Sequence, residues 1–89
     1  MISEKVTISN KLGLHARASA KIVTCASHYH AELYLIYREK RANAKSIMAV
    51  MMLGAGLGKE IDIEANGPDE NEALNAMVAL FSAKFGEEA

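Results

Sequence analysis

The sequence has no tryptophan, one proline, one cysteine and only five phenylalanines and tyrosines in 89 residues. The lone Cys25 excludes an internal disulfide. Stability must therefore come from one packed core, for which 51% apolar residues are ample. No internal repeat, linker or low-complexity tract interrupts the chain, so a single domain over residues 1–89 is expected. No run approaches the roughly 18 consecutive apolar residues of a membrane span. Met1–Lys5 lacks the basic and apolar regions of a signal peptide, so a cytoplasmic location is expected. Ten basic residues against eleven acidic ones leave a net charge of −1. That balance argues against nucleic-acid binding, which needs a basic face.

What is present is periodicity. Ile2, Val6 and Ile8 alternate with polar residues, as in a half-buried strand. Residues 16–27 read as a helix with Ala16, Ala20, Val23 and Ser27 on one stripe and Ala18, Ile22 and Cys25 beside it. Ala31, Leu33, Leu35 and Tyr37 give a second strand. Arg38-Glu39-Lys40 makes a polar turn, and residues 41–43 a short third strand. Ser46 takes the N-cap of a short apolar helix, Ile47 to Met52, ended by the glycines at 54, 56 and 58. Ile61, Ile63 and Ala65 mark a fourth strand. Pro68-Asp69 opens the last helix, where Asp69 and Glu72 have capping-box spacing. The buried side of that helix carries Ala73, Leu74, Met77, Leu80, Phe81, Lys84 and Phe85, and Gly86 ends it. The order βαββαβα, with strands alternating on one face, predicts an α+β fold. Its four-stranded antiparallel sheet is covered on one face by three helices.

The chemistry concentrates at Gly13-Leu14-His15-Ala16-Arg17. His15 stands at the start of a helix, where the backbone N–H groups of Ala16 and Arg17 favour an anion. Arg17 can grip phosphate with two parallel hydrogen bonds. Neutral imidazole is a nucleophile near pH 7, so this reads as a place to hold a phosphoryl group on nitrogen. The plainer reading is a polar helix start followed by a surface arginine. Ser46 is an N-cap and, beyond that, a candidate phosphorylation site, because phosphate gains from the helix dipole. The two-turn helix after it cannot bury every side, so Ile47, Met48 and Met51 are candidates for a partner-facing surface. Gly54-Ala55-Gly56-Leu57-Gly58-Lys59 fails as a phosphate-binding loop, because Glu60 follows the lysine. His28 and His30 lack a third metal ligand, and Cys25 lacks an adjacent base.

These motifs resemble HPr, the histidine-containing phosphocarrier family of the phosphoenolpyruvate-dependent sugar phosphotransferase system. The likeness runs through Gly13–Arg17, Lys45-Ser46-Ile47-Met48, Leu53-Gly54 and residues 67–71, and so covers essentially the whole chain. It implies an open-faced βαββαβα sandwich. It also implies that His15 takes phosphate on its δ nitrogen from phosphorylated enzyme I and passes it to enzyme II A domains. Arg17 would steady the phosphate, and HPr kinase/phosphorylase would modify Ser46. No cofactor or metal is implied, and a monomer is expected. Two departures stand out. Ala18 replaces a proline common in the family, and the turn at Arg38-Glu39-Lys40 lacks the usual glycine.

Two other functions fit less well. A regulatory paralogue in a nitrogen-type phosphorelay would keep His15, but the Lys45–Met48 segment resembles the kinase recognition region. A small acylphosphatase needs an arginine-bearing glycine-rich loop after the first strand, and Asn10–Leu14 has no arginine.

Overall fold

A computed structural model describes residues 1–88. Strands β1 (Ile2–Thr7), β2 (Glu32–Tyr37), β3 (Lys40–Asn43) and β4 (Glu60–Asn66) form one antiparallel sheet in the order β1-β4-β2-β3. Helices α1 (Ala16–Ser27), α2 (Ile47–Met52) and α3 (Glu70–Ser82) accompany them, in the expected order. β4 lies between β1 and β2, with Ile61 opposite Val6 and Ile63 opposite Leu35. Side chains alternate across a strand, so Ile61, Ile63 and Ala65 share the covered face with Leu33 and Leu35. Phe81, Phe85, Ile22, Met77 and Val50 complete the core from the helical side.

Three expectations need correction. The buried stripe of α1 is Ala18, Ser19, Ile22 and Ala26, whereas Ala16 and Ser27 are exposed. Burial of Ser19 is what rotates the stripe. Its hydroxyl donates to the Leu14 carbonyl at 3.2 Å, so a polar residue sits in the core without an unmet hydrogen. Asp69 is the N-cap of α3 but makes no side-chain cap bond, and Glu72 is exposed. The Asp69 carboxylate instead accepts the N–H of His30 at 2.9 Å and of Ala31 at 2.7 Å. Glu70 takes the N–H of Gly67 at 3.1 Å. Finally, Cys25 is half-buried at the core's edge rather than within it, and burial pushes its thiol pKa up.

The missing hairpin glycine has a local cost. Arg38 adopts φ 57°, a left-handed conformation that costs a side-chain-bearing residue about 1–2 kcal/mol. Its guanidinium lies 5.0 Å from the centroid of the Tyr37 ring, a contact that offsets part of that cost.

After α3 the chain makes a short 3-10 turn, Lys84–Gly86. Lys84, Phe85 and Gly86 are left-handed in succession, at φ 55°, 57° and 79°. Phe85 is nevertheless 1% exposed, edge-on to Phe81 with ring centroids 4.8 Å apart. Full burial of a phenylalanine is worth about 1.5–3 kcal/mol, comparable with the strain of the two left-handed side-chain-bearing residues. The turn delivers Glu87 to the start of α1.

Candidate functional site

The loop from β1 to α1 is built around Asn10, which is fully buried. Its amide donates to the Gly13 carbonyl at 2.8 Å and closes the turn. Gly13 has φ 66°, and a Cβ there would lie 2.8 Å from the Cα of Gly56. Only glycine allows the two loops to pass so closely. The Leu14 N–H then donates to the Ala55 carbonyl at 3.3 Å, tying the residue before His15 to the segment after α2.

His15 is the N-cap of α1, extended at φ −75° and ψ 179°, and its side chain caps no backbone N–H. The first main-chain bond to its carbonyl comes from Ser19 at 2.8 Å. The N–H groups of Ala16, Arg17 and Ala18 thus precede the intrahelical ladder. The imidazole is partly exposed and makes no cap hydrogen bond to them. Its Nε2 lies 2.6 Å from a Glu87 carboxylate oxygen. That hydrogen bond, with a second from the Asn10 amide at 3.1 Å, holds the Glu87 carboxyl below the usual carboxylate range. Nδ1 has no protein partner among the described residues.

Arg17 is exposed and forms no ion pair with any described residue. It lines the same open cleft as Lys11, Leu12, His15, Ala16, Glu87 and Glu88, about 730 Å³ in volume. An exposed guanidinium, two residues with free helix-start N–H groups and an imidazole thus line one space. Such a set can receive a dianionic phosphoryl group on a ring nitrogen.

Ser46 stands elsewhere. Its hydroxyl accepts the Ala49 N–H at 3.2 Å, so the N-cap is real. The neighbouring Lys45 reaches the Tyr29 carbonyl beyond the C-terminal end of α1. Ala55, after α2, meets Leu14 at the other end of α1. The two helices are therefore antiparallel, with Ser46 toward the C-terminal end of α1 and His15 at its start. The surface of α2 lies between them. Ile47, Met48 and Met51 are exposed, as expected, and so is Met52 at 70%; only Val50 is fully buried. Leu12 and Leu57 are exposed as well, Leu12 in the cleft itself.

Sequence reasoning missed Asn10, Glu87 and Met52. Asn10 lies in the turn-forming stretch before Gly13, a weak local signal. Glu87 had none, since its partners are 72 and 77 residues away along the chain. His28 and His30 do not gather a site. His28 Nδ1 bonds the Thr24 carbonyl at 2.8 Å, and the backbone of His30 serves Asp69.

Residues 2–83 match the family model described as "PTS HPr component phosphorylation site". The chain is 47% identical over 87 residues to the phosphocarrier protein HPr of Cupriavidus necator, covering 98% of both chains. It is 45% identical over 86 residues to the phosphocarrier protein NPr of Shewanella violacea, covering 97% of this chain and 94% of that one. A crystal structure of HPr from Thermoanaerobacter tengcongensis superposes with a TM-score of 0.96 at 43% identity, covering 100% of both chains. These relatives are carriers rather than enzymes, which sets the acylphosphatase alternative aside. The chain belongs to the HPr family, phosphocarriers of the phosphotransferase system that move phosphate between proteins.

Proposed function

We propose that His15 is the phosphorylated residue of this carrier. It takes phosphate from phosphorylated enzyme I and gives it to a histidine of an enzyme II A domain. One observation carries the reading: an imidazole at the start of α1 shares an open cleft with Arg17, which pairs with no acid among the described residues. The lone pair of Nδ1 attacks the donor's phosphorus. As the bond to the donor breaks, Arg17 and the N–H groups of Ala16 and Arg17 balance the charge on the transferring oxygens. An exposed site does not trap the phosphoryl group, so onward transfer stays downhill or level. The carrier needs no cofactor for this chemistry.

Incubation with enzyme I and labelled phosphoenolpyruvate tests the proposal. One acid-labile, alkali-stable phosphoryl group should appear per chain. If His15→Ala takes up as much label as the wild type, His15 is not the acceptor.

Around this core we place Ile47, Met48 and Met51 in the docking surface for enzyme I and the enzyme II A domains. Ser46 is the site of control by HPr kinase/phosphorylase, acting in the cytoplasm on a monomer. The relative named NPr supports a second reading, a regulatory phosphorelay paralogue without sugar transport. Assaying acceptor domains from the two kinds of relay side by side distinguishes them.

A further inference from the structure

Glu87 lies beyond residues 2–83, the span matched by the family model. Yet it is the protein group in contact with the reacting imidazole. Its side chain is only 14% exposed. Its position is fixed from three sides. Phe85 is buried two residues before it, and the Lys21 ammonium donates to the Phe85 carbonyl. The left-handed turn at Lys84–Gly86 reverses the chain toward α1. The Asn10 amide reaches Glu87 Oε1.

The hydrogens can be assigned from this arrangement. The Gly13 carbonyl can only accept, so the Asn10 NH₂ must face it, and the same NH₂ donates to Glu87. Asn10 keeps this orientation although its buried Oδ1 has no partner among the described residues. Glu87 is thus an acceptor on Oε1, and it faces Nε2 of His15 through its other oxygen. An ionised carboxylate has no hydrogen to give, so the hydrogen in that contact sits on Nε2.

We infer that Glu87 is a positioning residue for phosphoryl transfer. It holds His15 as the Nε2–H tautomer, so Nδ1 and not Nε2 is offered to the donor. The inference rests on the reading of His15 as the phosphate acceptor. The transfer balances without an extra proton. The Nδ1 lone pair forms the new N–P bond, and the old bond's electron pair stays with the donor's leaving atom. The ring gains positive charge and keeps its Nε2 hydrogen in the bond to Glu87, whose carboxylate neutralises that charge. When the phosphoryl group moves on, the N–P pair returns to Nδ1 and the starting tautomer is restored. Nε2 is meanwhile covered and cannot be phosphorylated.

The test compares wild type, Glu87→Ala and Glu87→Gln with two donors: enzyme I plus phosphoenolpyruvate, and the small donor phosphoramidate. Phosphorus NMR separates phosphate on Nδ1 from phosphate on Nε2, and ring ¹⁵N shifts report the tautomer. Wild type should carry phosphate on Nδ1 with either donor. Glu87→Ala uncovers Nε2, so phosphoramidate should now label it, and transfer from enzyme I should slow about ten-fold. Glu87→Gln can still accept the Nε2 hydrogen through its amide oxygen. It should keep phosphate on Nδ1 while losing rate, because the charge is gone. It also decides the matter if Glu87→Ala loses the fold: unchanged rate and unchanged ring shifts in Glu87→Gln overturn the inference. So does a folded Glu87→Ala that matches wild type in rate and regiochemistry. Absence of phosphohistidine in the wild type with both donors instead removes His15 as acceptor, and the role of Glu87 with it.

Discussion

A Cβ on Gly13 would sit 2.8 Å from the Cα of Gly56, closer than any side-chain carbon normally approaches a backbone atom. The contact joins the loop before α1 to the loop after α2, so it sets where His15 stands relative to the apolar surface of α2. Gly13→Ala should cost about 2–4 kcal/mol, from left-handed backbone plus overpacking, and lower Tm by roughly 10–25 °C. Thermal unfolding followed by circular dichroism measures this. A loss of less than about 2 °C would mean the loops separate freely.

Asp69 makes the corresponding tie at the other end of α1. Its carboxylate bonds the His30 and Ala31 N–H groups, and the first of these, ahead of the second, holds its pKa below the usual value. A lowered folded-state pKa means the charged form binds the fold better. The gain is fully present above the unfolded pKa of about 3.9 and disappears as pH falls through the folded value. Asp69→Asn should therefore lower Tm at pH 7 and match the wild type in strong acid. A Tm difference that is constant from pH 7 to pH 2 would show that the charge is irrelevant.

What could be read from the sequence was whatever is settled within a few residues. Ile61, Ile63 and Ala65 alternate, and β4 follows. Ser46 precedes an apolar turn, and its hydroxyl does cap Ala49. His15 and Arg17 are two apart at a helix start, and they do share a cleft. What could not be read depends on partners distant in the chain. Asp69 resembles a local cap, but acceptors of its kind serve whichever N–H groups the fold brings near, here 38 and 39 residues away. Lys84 and Phe85 give no sign of left-handed backbone, because the reason for it is the burial of Phe85 against Phe81. Glu87 reads as an ordinary terminal acid until that turn points it at His15.

Arg17 should matter for the transfer step more than for docking, since it is exposed beside His15 and pairs with no acid among the described residues. Losing one charge-assisted contact corresponds to roughly 1.5–3 kcal/mol, or about ten- to hundred-fold in rate. Arg17→Ala should show that loss in single-turnover transfer from enzyme I, with a smaller change in affinity. Arg17→Lys should recover only part, because lysine cannot form the bidentate fork. Equal single-turnover rates for wild type and Arg17→Ala would remove Arg17 from the site.

The last prediction separates two roles of Ser46. As a cap, its hydroxyl holds the Ala49 N–H, so Ser46→Ala should cost about 1 kcal/mol and roughly 4–8 °C in Tm. Ser46→Asp should keep the cap, because aspartate is an equally good N-cap residue. As a brake, Ser46 would act in the opposite order. It lies toward the C-terminal end of α1, whereas His15 starts that helix. A phosphate there would carry nearly two negative charges. It would sit beside the exposed Ile47 and Met48. The proposed brake would thus weaken the encounter with enzyme I, through charge placed on the proposed apolar docking surface. Ser46→Asp should raise the KM for enzyme I-dependent phosphorylation of His15 with little change in the single-turnover rate at saturation. Ser46→Ala, although less stable, should accept phosphate as fast as wild type. If the aspartate and alanine variants are phosphorylated with the same KM, the brake is absent and Ser46 is a helix cap alone.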